Sequence, residues 1–287
     1  MLRVALILIL LTLLPSAQAE LVVSYRTPAT DSTYHDYYTK LIALALEKTN
    51  TKYGDYRMVG APTNASTLRS LGNVAGDIYP NLLIELSYDE ALNHISAISR
   101  IKIPVDGGIF GYRVCFVNPK LKSEIAQAKS LDDLRHYTIA QGVGWADNDI
   151  LRANGFKVME IATYENIFKM IVAGRVDLFC RGANQIRPEL DEFKSLTQLT
   201  FDDSFILYYP LPRFFYINSH NHLAKTRIEE GLRIAFNDGS MKKLWEEEYR
   251  ESINFVRLNQ RKIYQLQNPL LKDLGHDYER YYFDPLK

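Results

Sequence analysis

The chain has 287 residues, and its 34 Lys and Arg are balanced by 34 Asp and Glu, so its formal net charge at neutral pH is zero. A chain without net positive charge has no general field to hold nucleic acid or an acidic membrane surface, and neither partner is predicted. The length is enough to bury a substantial core in one or two domains.

Residues 1–19 have the pattern of a secretory signal peptide. A single basic residue, Arg3, precedes an apolar run from 4 to 14, and Pro15 and the small-residue site Ala17-Gln18-Ala19 follow. The run is short for a membrane span, so an uncleaved anchor is the less favoured alternative. We predict cleavage before Glu20 and a mature periplasmic protein that is not inserted in the membrane.

The first part of the mature chain alternates predicted strands and helices. Strands are predicted at 21–26, 56–59 and 77–80, and helices at about 34–48 and 65–71. This β-α-β rhythm predicts an α/β sheet with helices packed on it. Two extended segments follow, at 96–103 and 111–117, and Pro104 with the pair Gly107-Gly108 separates them. We place a first crossing between two lobes there.

The second part repeats the alternation. Helices are predicted at 121–128 and 147–153, and strands at 138–141 and 157–161. A helix at 164–172 then ends at Gly174, which we expect in the left-handed conformation of a helix C-terminus. The apolar run 176–180 follows at once and predicts a strand covered on both faces. The carboxyl ends of such strands line ligand crevices, and Arg181 and Gly182 lie at that end.

The last part begins where Tyr208 and Tyr209 precede a Pro-Leu-Pro turn, and we place a return crossing near it. A strand is predicted at 213–218, and apolar residues at helical spacing predict a long helix that turns at Asp238-Gly239 into a second one around Trp245. Residues 259–287 lack periodicity. We predict that they wrap over the first lobe.

Three short motifs carry a family resemblance. Leu131-Asp132-Asp133-Leu134 leads to Thr138-Ile139-Ala140-Gln141-Gly142, and Gly174-Arg175-Val176-Asp177 follows. This segment resembles the second lobe of the bacterial family 3 extracellular solute-binding proteins, which have the type II periplasmic binding protein fold. The resemblance implies an α/β protein of two lobes, each a mostly parallel sheet flanked by helices, joined by a two-crossing hinge. We expect 20–110 with 213–287 as lobe 1 and 111–212 as lobe 2.

The resemblance also implies a function. We expect a monomer that closes on a small polar, carboxylate-bearing and amino-acid-like solute and delivers it to a membrane permease of an ABC-type importer. A sensor that signals to a membrane kinase or cyclase is the alternative, and a dehydratase-like enzyme of the same fold is a further one. No catalytic residues and no cofactor are predicted, because no nucleophile–base arrangement can be picked out by spacing.

Candidate ligand contacts lie mainly in the second lobe. Gly142, Trp145 and Asp147 belong to a strand-to-helix turn, where backbone amides and an aromatic face can meet a ligand. The alternative is a plain turn in which Trp145 packs in the core and Asp147 caps a helix. Arg181 is costly to bury unpaired, so either a ligand carboxylate or an internal acid such as Asp147 or Asp177 must face it.

The same argument applies to Arg113, next to the hinge glycines. Tyr25 and Arg26 are candidate ligand contacts from the opposite lobe. In amino-acid-binding members of the family a Thr-x-x-Arg holds the ligand carboxylate, whereas this chain has Ser87-Tyr88-Asp89-Glu90. The acid that holds the ligand amine in those proteins would fall near Gly182, where this chain has no acid. We therefore expect a ligand with an anionic or carbonyl group facing Arg181, and not an α-amino acid held in the usual way.

The two cysteines and the paired histidines have plain interpretations. Cys115 and Cys180 lie in apolar strands, and we favour two buried thiols over a disulfide, although an exported protein could form one. His220 and His222 lie between a strand and a helix with no third ligand near in sequence, so a solvated loop is favoured over a metal site.

Overall fold

The structure is a computed structural model that describes residues 20–27, 36–61 and 67–286. The signal peptide predicted at 1–19 lies outside the described residues. Within the described ranges, no helix has both the length and the apolar character needed to cross a membrane.

The first sheet is formed by the beginning of the chain and one late strand. The strands described, in spatial order, are β2 (Tyr56–Ala61), β1 (Leu21–Arg26), β3 (Ile84–Ser87), β11 (Arg213–Asn218) and β4 (Ile98–Arg100). β1 is parallel to β2, and a parallel bridge from Tyr25 to Leu83 joins it to the start of β3. β11 is antiparallel to β3 and β4. The carboxyl ends of β1 and β3 therefore lie at one edge, beside the start of β11.

The second sheet contains seven of the described strands. Its path is β12 (Lys262–Gln265), β10 (Phe205–Tyr208), β5 (Tyr112–Val117), β8 (Leu178–Gly182), β6 (Thr138–Gly142) and β7 (Lys157–Ile161), with β9 (Thr200–Phe201) paired to β5. β6 is parallel to β7 and β8, and β10 is parallel to β12. β5 is antiparallel to β8 and β10. The carboxyl ends of β6 and β8 therefore meet the beginning of β5.

The helices fall into two groups along the chain. The first comprises α1 (Asp36–Lys48), α2 (Asn50–Tyr53), α3 (Thr67–Ala75), α9 (His222–Asn237) and α10 (Ser240–Val256). The second comprises α4 (Lys122–Ile125), α5 (Leu131–Arg135), α6 (Ala146–Ala153), α7 (Tyr164–Val172) and α8 (Ile186–Glu192). α1 and α9 approach so closely that a Cβ at Gly231 would clash with the backbone of Ala45. A backbone clash cannot be relieved by a rotamer change, so this crossing requires glycine.

The predicted helix–glycine–strand unit is confirmed. Gly174 ends α7 with a φ of 67°, and the Arg175 amide donates to the Met170 carbonyl at 2.9 Å. These are the features of a left-handed helix cap, after which the chain enters the buried strand β8. The strand predicted at 77–80 is wrong. Asp77 and Asn81 have positive φ values of 48° and 49°, so the segment is a turn, and the strand begins only at Ile84.

The favoured interpretation of the cysteines is also wrong. Cys115 and Cys180 are register partners on the neighbouring strands β5 and β8, so their side chains project from the same face of the sheet at the same level. They form a disulfide bond. The sequence could not show this, because 65 residues separate the two positions and only strand pairing brings them together.

Two segments that connect the sheets run side by side. The first, 101–111, leads from β4 to β5, and the second, 209–212, leads from β10 to β11. The Val105 amide donates to the Arg213 carbonyl at 2.9 Å, and the Tyr209 amide donates to the Gly111 carbonyl at 3.2 Å. The chain thus turns between the sheets twice at one place.

The end of the chain departs from the prediction that 259–287 covers the first lobe. β12 adds to the second sheet beside β10, and Leu266 lies in the core of that sheet. The chain then returns to the connecting segments, where the Phe283 amide donates to the Gly107 carbonyl at 3.0 Å and the Phe283 ring meets Trp245 of α10. The segment therefore contacts both sheets.

Candidate functional site

Polar and charged side chains from both sheets collect around Phe110, which is buried in the first connecting segment. Its ring centroid lies 4.5 Å from Cζ of Arg213, at the start of β11. Its Cα lies 3.6 Å from the point where a Cβ on Gly182 would stand, at the end of β8. The strand ends that line ligand crevices in such folds thus meet at this residue.

Arg113 and Asp147, two predicted ligand contacts, are paired with each other. Arg113 Nη2 lies 2.5 Å from Asp147 Oδ1. The Tyr209 hydroxyl donates to the same oxygen at 2.5 Å and accepts from Arg113 Nε at 3.1 Å. Burial raises the pKa of Tyr209 well above its ordinary value, so the hydroxyl remains a donor. This group of three neutralises its own charge inside the second sheet's core.

Arg181, the central predicted contact, has an internal partner that the sequence did not reveal. Its Nε and Nη2 both lie 2.7 Å from Oε1 of Glu189, in α8. The neighbouring Asp177 is engaged elsewhere, since it accepts from the Thr138 amide at 2.8 Å. We call Arg113–Asp147 and Arg181–Glu189 the second-sheet pairs.

Trp145 and Gly142, also predicted contacts, belong to the surroundings of Arg181. The guanidinium of Arg181 lies 4.8 Å from the Trp145 ring and 5.6 Å from the Tyr164 ring. The indole of Trp145 folds back over Gly142 and occupies the space that a Cβ there would need. The half-buried Trp145 is the N-cap of α6, without a side-chain capping bond. Gly142 therefore allows the Trp145 ring to pack against the Arg181 guanidinium.

A second group of charges lies at the edge of the first sheet. Arg26 Nη1 and Arg213 Nη2 each lie 3.6 Å from Oε1 of Glu85, which is 3% exposed. Arg213 also donates from Nη2 to the Glu85 carbonyl at 3.0 Å. We call Arg26, Glu85 and Arg213 the first-sheet cluster. Tyr25 precedes Arg26 on β1 and therefore projects from the opposite face.

Asp106 is a fully buried acid in the first connecting segment. Its Oδ1 accepts long hydrogen bonds from the amides of Gly108, at 3.4 Å, and Arg213, at 3.5 Å, and its Oδ2 has no partner among the described residues. Burial raises its pKa to about 6, although the positive charge of Arg213 acts in the opposite direction. The acid is thus held between two segments that join the sheets.

Asn184 lies two residues after the end of β8 and is 2% exposed. Neither Oδ1 nor Nδ2 has a hydrogen-bond partner in the part of the chain that the structure describes. Its Oδ1 lies 2.6 Å from the point where a Cβ on Gly182 would stand. Just beyond the predicted contact Arg181, the chain thus has a buried amide that makes no hydrogen bond to any described residue.

Sequence reasoning missed several residues of this site. Arg213 and Asp106 adjoin the Pro-Leu-Pro turn and the Gly107-Gly108 pair, so charge next to a predicted crossing was the signal available for both. Glu189 and Tyr209 gave no such signal, because they reach their partners only through folding. Across the described ranges, no three His, Cys, Asp or Glu side chains group as a metal site requires.

Comparison with known proteins identifies the fold. No protein-family model and no curated protein matches the chain. Among solved structures, it is similar to the YckB protein of Bacillus subtilis, with a TM-score of 0.54 and 17% identity over 86% of this chain and 96% of that one.

A periplasmic binding protein of Salmonella typhimurium with high arginine specificity has a TM-score of 0.56 and 11% identity, covering 80% of this chain and 99% of that one. The GluR0 ligand-binding core of Nostoc punctiforme, solved with L-glutamate, has a TM-score of 0.51 and 14% identity over 80% and 99%. The chain therefore has the two-lobed α/β fold of type II periplasmic binding proteins, which confirms the predicted resemblance at the level of the fold.

Proposed function

We propose that the protein is a periplasmic solute-binding protein that holds a small polar, carboxylate-bearing solute between its two lobes and presents it to an ABC-type importer. The fold supports this, and so do the neighbours, whose names describe binding of arginine and L-glutamate. The lobes would be built on the first and second sheets, with the solute beside Phe110.

The observation that carries the proposal is the first-sheet cluster. Two guanidinium groups converge on one carboxylate, Glu85, and both charged contacts are 3.6 Å long. A planar guanidinium suits bidentate recognition of a carboxylate. Arg26 ends β1 and Arg213 begins β11, at the edge of the first sheet where strand ends line ligand crevices, so both can meet a ligand carboxylate there.

The predicted contacts then take different roles. Arg26 and Arg213 would bind the carboxylate, and Trp145 with Arg181 would form the opposite wall, supported by Gly142. Arg113 and Asp147 are occupied by each other, so we assign them to holding the second lobe together. Tyr25 lies on the other face of β1, away from the cluster.

The test begins with the mature protein purified gently and with identification of its bound small molecule by mass spectrometry. Adding that molecule at about 100 times its Kd should stabilise the fold by about 2.7 kcal/mol, seen as a rise in Tm. Lobe closure should reduce the radius of gyration in X-ray scattering. Arg213→Gln should weaken binding, and Arg152→Gln, at an exposed arginine of α6, is the matched control. No bound molecule, and no Tm rise with amino acids, small carboxylates or polyamines at millimolar concentration, would contradict the proposal.

A further inference from the structure

Asn184 differs from the other buried carboxamides at the same edge of the second sheet. Gln141 Nε2 donates to the Cys180 carbonyl at 3.1 Å, Asn148 Nδ2 donates to the Gly142 carbonyl at 2.9 Å, and Gln185 Oε1 accepts from the Gly182 amide at 3.0 Å. Each of these three side chains uses either its carbonyl or its NH2 group in a hydrogen bond to the backbone. Neither the carbonyl nor the NH2 group of Asn184 has a hydrogen-bond partner among the described residues.

The position of Asn184 depends on Gly182. A Cβ at Gly182 would meet both Asn184 Oδ1, at 2.6 Å, and Gln185 Oε1, at 3.2 Å. The same point lies 3.6 Å from the Cα of Phe110. The amide of Asn184 therefore occupies space that a larger residue would fill, and it lies where the two sheets approach each other.

The two ion pairs at the end of β8 are closed. Asp147 is bound to Arg113 at 2.5 Å, and Glu189 is bound to Arg181 at 2.7 Å. Arg113 is the register partner of Gly182 and Arg181 precedes Gly182, so the neutral amide of Asn184 follows a strand end whose arginines are already paired. A buried donor or acceptor that is left unbonded is unfavourable, so the site favours a ligand group that bonds both the carbonyl and the NH2 of Asn184.

A planar amide presents one donor beside one acceptor. Its complement is a group with an acceptor beside a donor, such as a primary amide, a lactam or a pyrimidine-like edge. Resting on the proposed function, we infer that the solute carries such a neutral amide-type group, held at two points by Asn184, in addition to the carboxylate that faces Arg26 and Arg213.

The experiment compares isosteric probes on the mature protein. Succinamate is measured against succinate, and L-pyroglutamate against cyclopentanecarboxylate, by calorimetry and by Tm. The amide of each pair should bind at least about tenfold more tightly, which corresponds to about 1.4 kcal/mol. Asn184→Leu should abolish this preference, and Asn184→Asp, which keeps an acceptor and loses the donor, should reduce it. Asn118→Leu is the matched control, because Asn118 is a buried asparagine at the opposite end of the sheet.

Each outcome decides between the two proposals. A co-purified molecule with a carboxylate and an amide edge supports the inference. A co-purified molecule without that edge, equal affinity within both probe pairs, or an Asn184→Leu variant that changes Tm but keeps the preference overturns it and leaves the proposed function standing. Absence of any bound molecule together with no Tm rise from any probe refutes the proposed function, and the inference with it.

Discussion

The second-sheet pairs and the first-sheet cluster use the same arginine–carboxylate chemistry in two different states. In the second sheet the charged atoms are 2.5 and 2.7 Å apart, whereas in the first sheet both contacts with Glu85 are 3.6 Å long. All of the carboxylates are buried. The two groups therefore differ in the length of their arginine–carboxylate contacts and not in the burial of their carboxylates.

A closed, buried ion pair is better suited to holding the fold than to receiving a ligand. Removing one partner of a buried ion pair is strongly destabilising, because the other charge remains uncompensated. A ligand that had to displace Asp147 or Glu189 would meet that cost at each binding event. Under the proposed function, the second-sheet pairs therefore have a structural role, and the first-sheet cluster binds the solute.

Asp147→Asn should have the greatest effect on stability. The substitution leaves the Arg113 charge buried without its carboxylate, and we expect the free energy of unfolding to fall by about 3–5 kcal/mol. Asp149→Asn is the control, because Asp149 lies on the same helix with its side chain 67% exposed and 3.9 Å from Arg152. Urea denaturation measures both variants. Equal losses would show that the buried group has no special structural role.

The disulfide offers a second test, because it links the strands that carry Arg113 and Arg181. It closes a loop of 65 residues, and the chain-entropy relation for a loop of that length predicts about 4 kcal/mol of stabilisation. The double variant Cys115→Ala, Cys180→Ala should lose stability of that order in urea denaturation. Reductant should destabilise the wild type and leave the variant unchanged. A wild type indifferent to reductant under unfolding conditions would contradict the bond.

The sequence predicted the helices and strands that carry the site better than the ion pairs within it. Helix period and a glycine cap predicted α7 and β8, and so placed Arg181 at a strand end. The partner of Arg181 could not be predicted, because Glu189 lies in α8, for which no period was recognised. β12 was missed because three of its four residues are exposed and give no buried face to read. The clustering of Arg213 with Glu85 follows from antiparallel register, which local patterns do not encode.

Asp106, in the first connecting segment beside Arg213 of the first-sheet cluster, gives a pH-dependent test. Burial raises its pKa from an ordinary 3.8 to about 6, and it faces Arg213 together with the hydroxyls of Tyr37, Tyr208 and Tyr282. Those tyrosines have raised pKa values and do not ionise in this range. A raised carboxyl pKa means that the folded state binds the proton more tightly, so this contribution to stability is lost as pH rises from about 4 to 6.

The total over that interval is at most about 3 kcal/mol. Asp106→Asn, which cannot ionise, should remove this part of the pH dependence. Unfolding free energies at pH 4, 5, 6 and 7 are compared between variant and wild type, so that the other carboxyl groups cancel. A difference that stays constant with pH would mean that Asp106 does not titrate in this range.

An exposed and a buried ion pair with the same N···O separation should differ in their contribution to stability. Arg152 and Glu160 are 2.7 Å apart, the same separation as Arg181 and Glu189, but their side chains are 45% and 30% exposed. The bond from Arg152 lowers the pKa of Glu160, so its contribution is present at neutral pH and is lost as pH falls through that pKa. Because water and salt screen the pair, Glu160→Gln should cost less than about 1 kcal/mol, and less still in high salt. Glu189→Gln, which leaves the buried Arg181 guanidinium without this carboxylate, should cost several times more in the same denaturation series. Equal costs would show that separation alone, and not burial, determines the contribution of these pairs to stability.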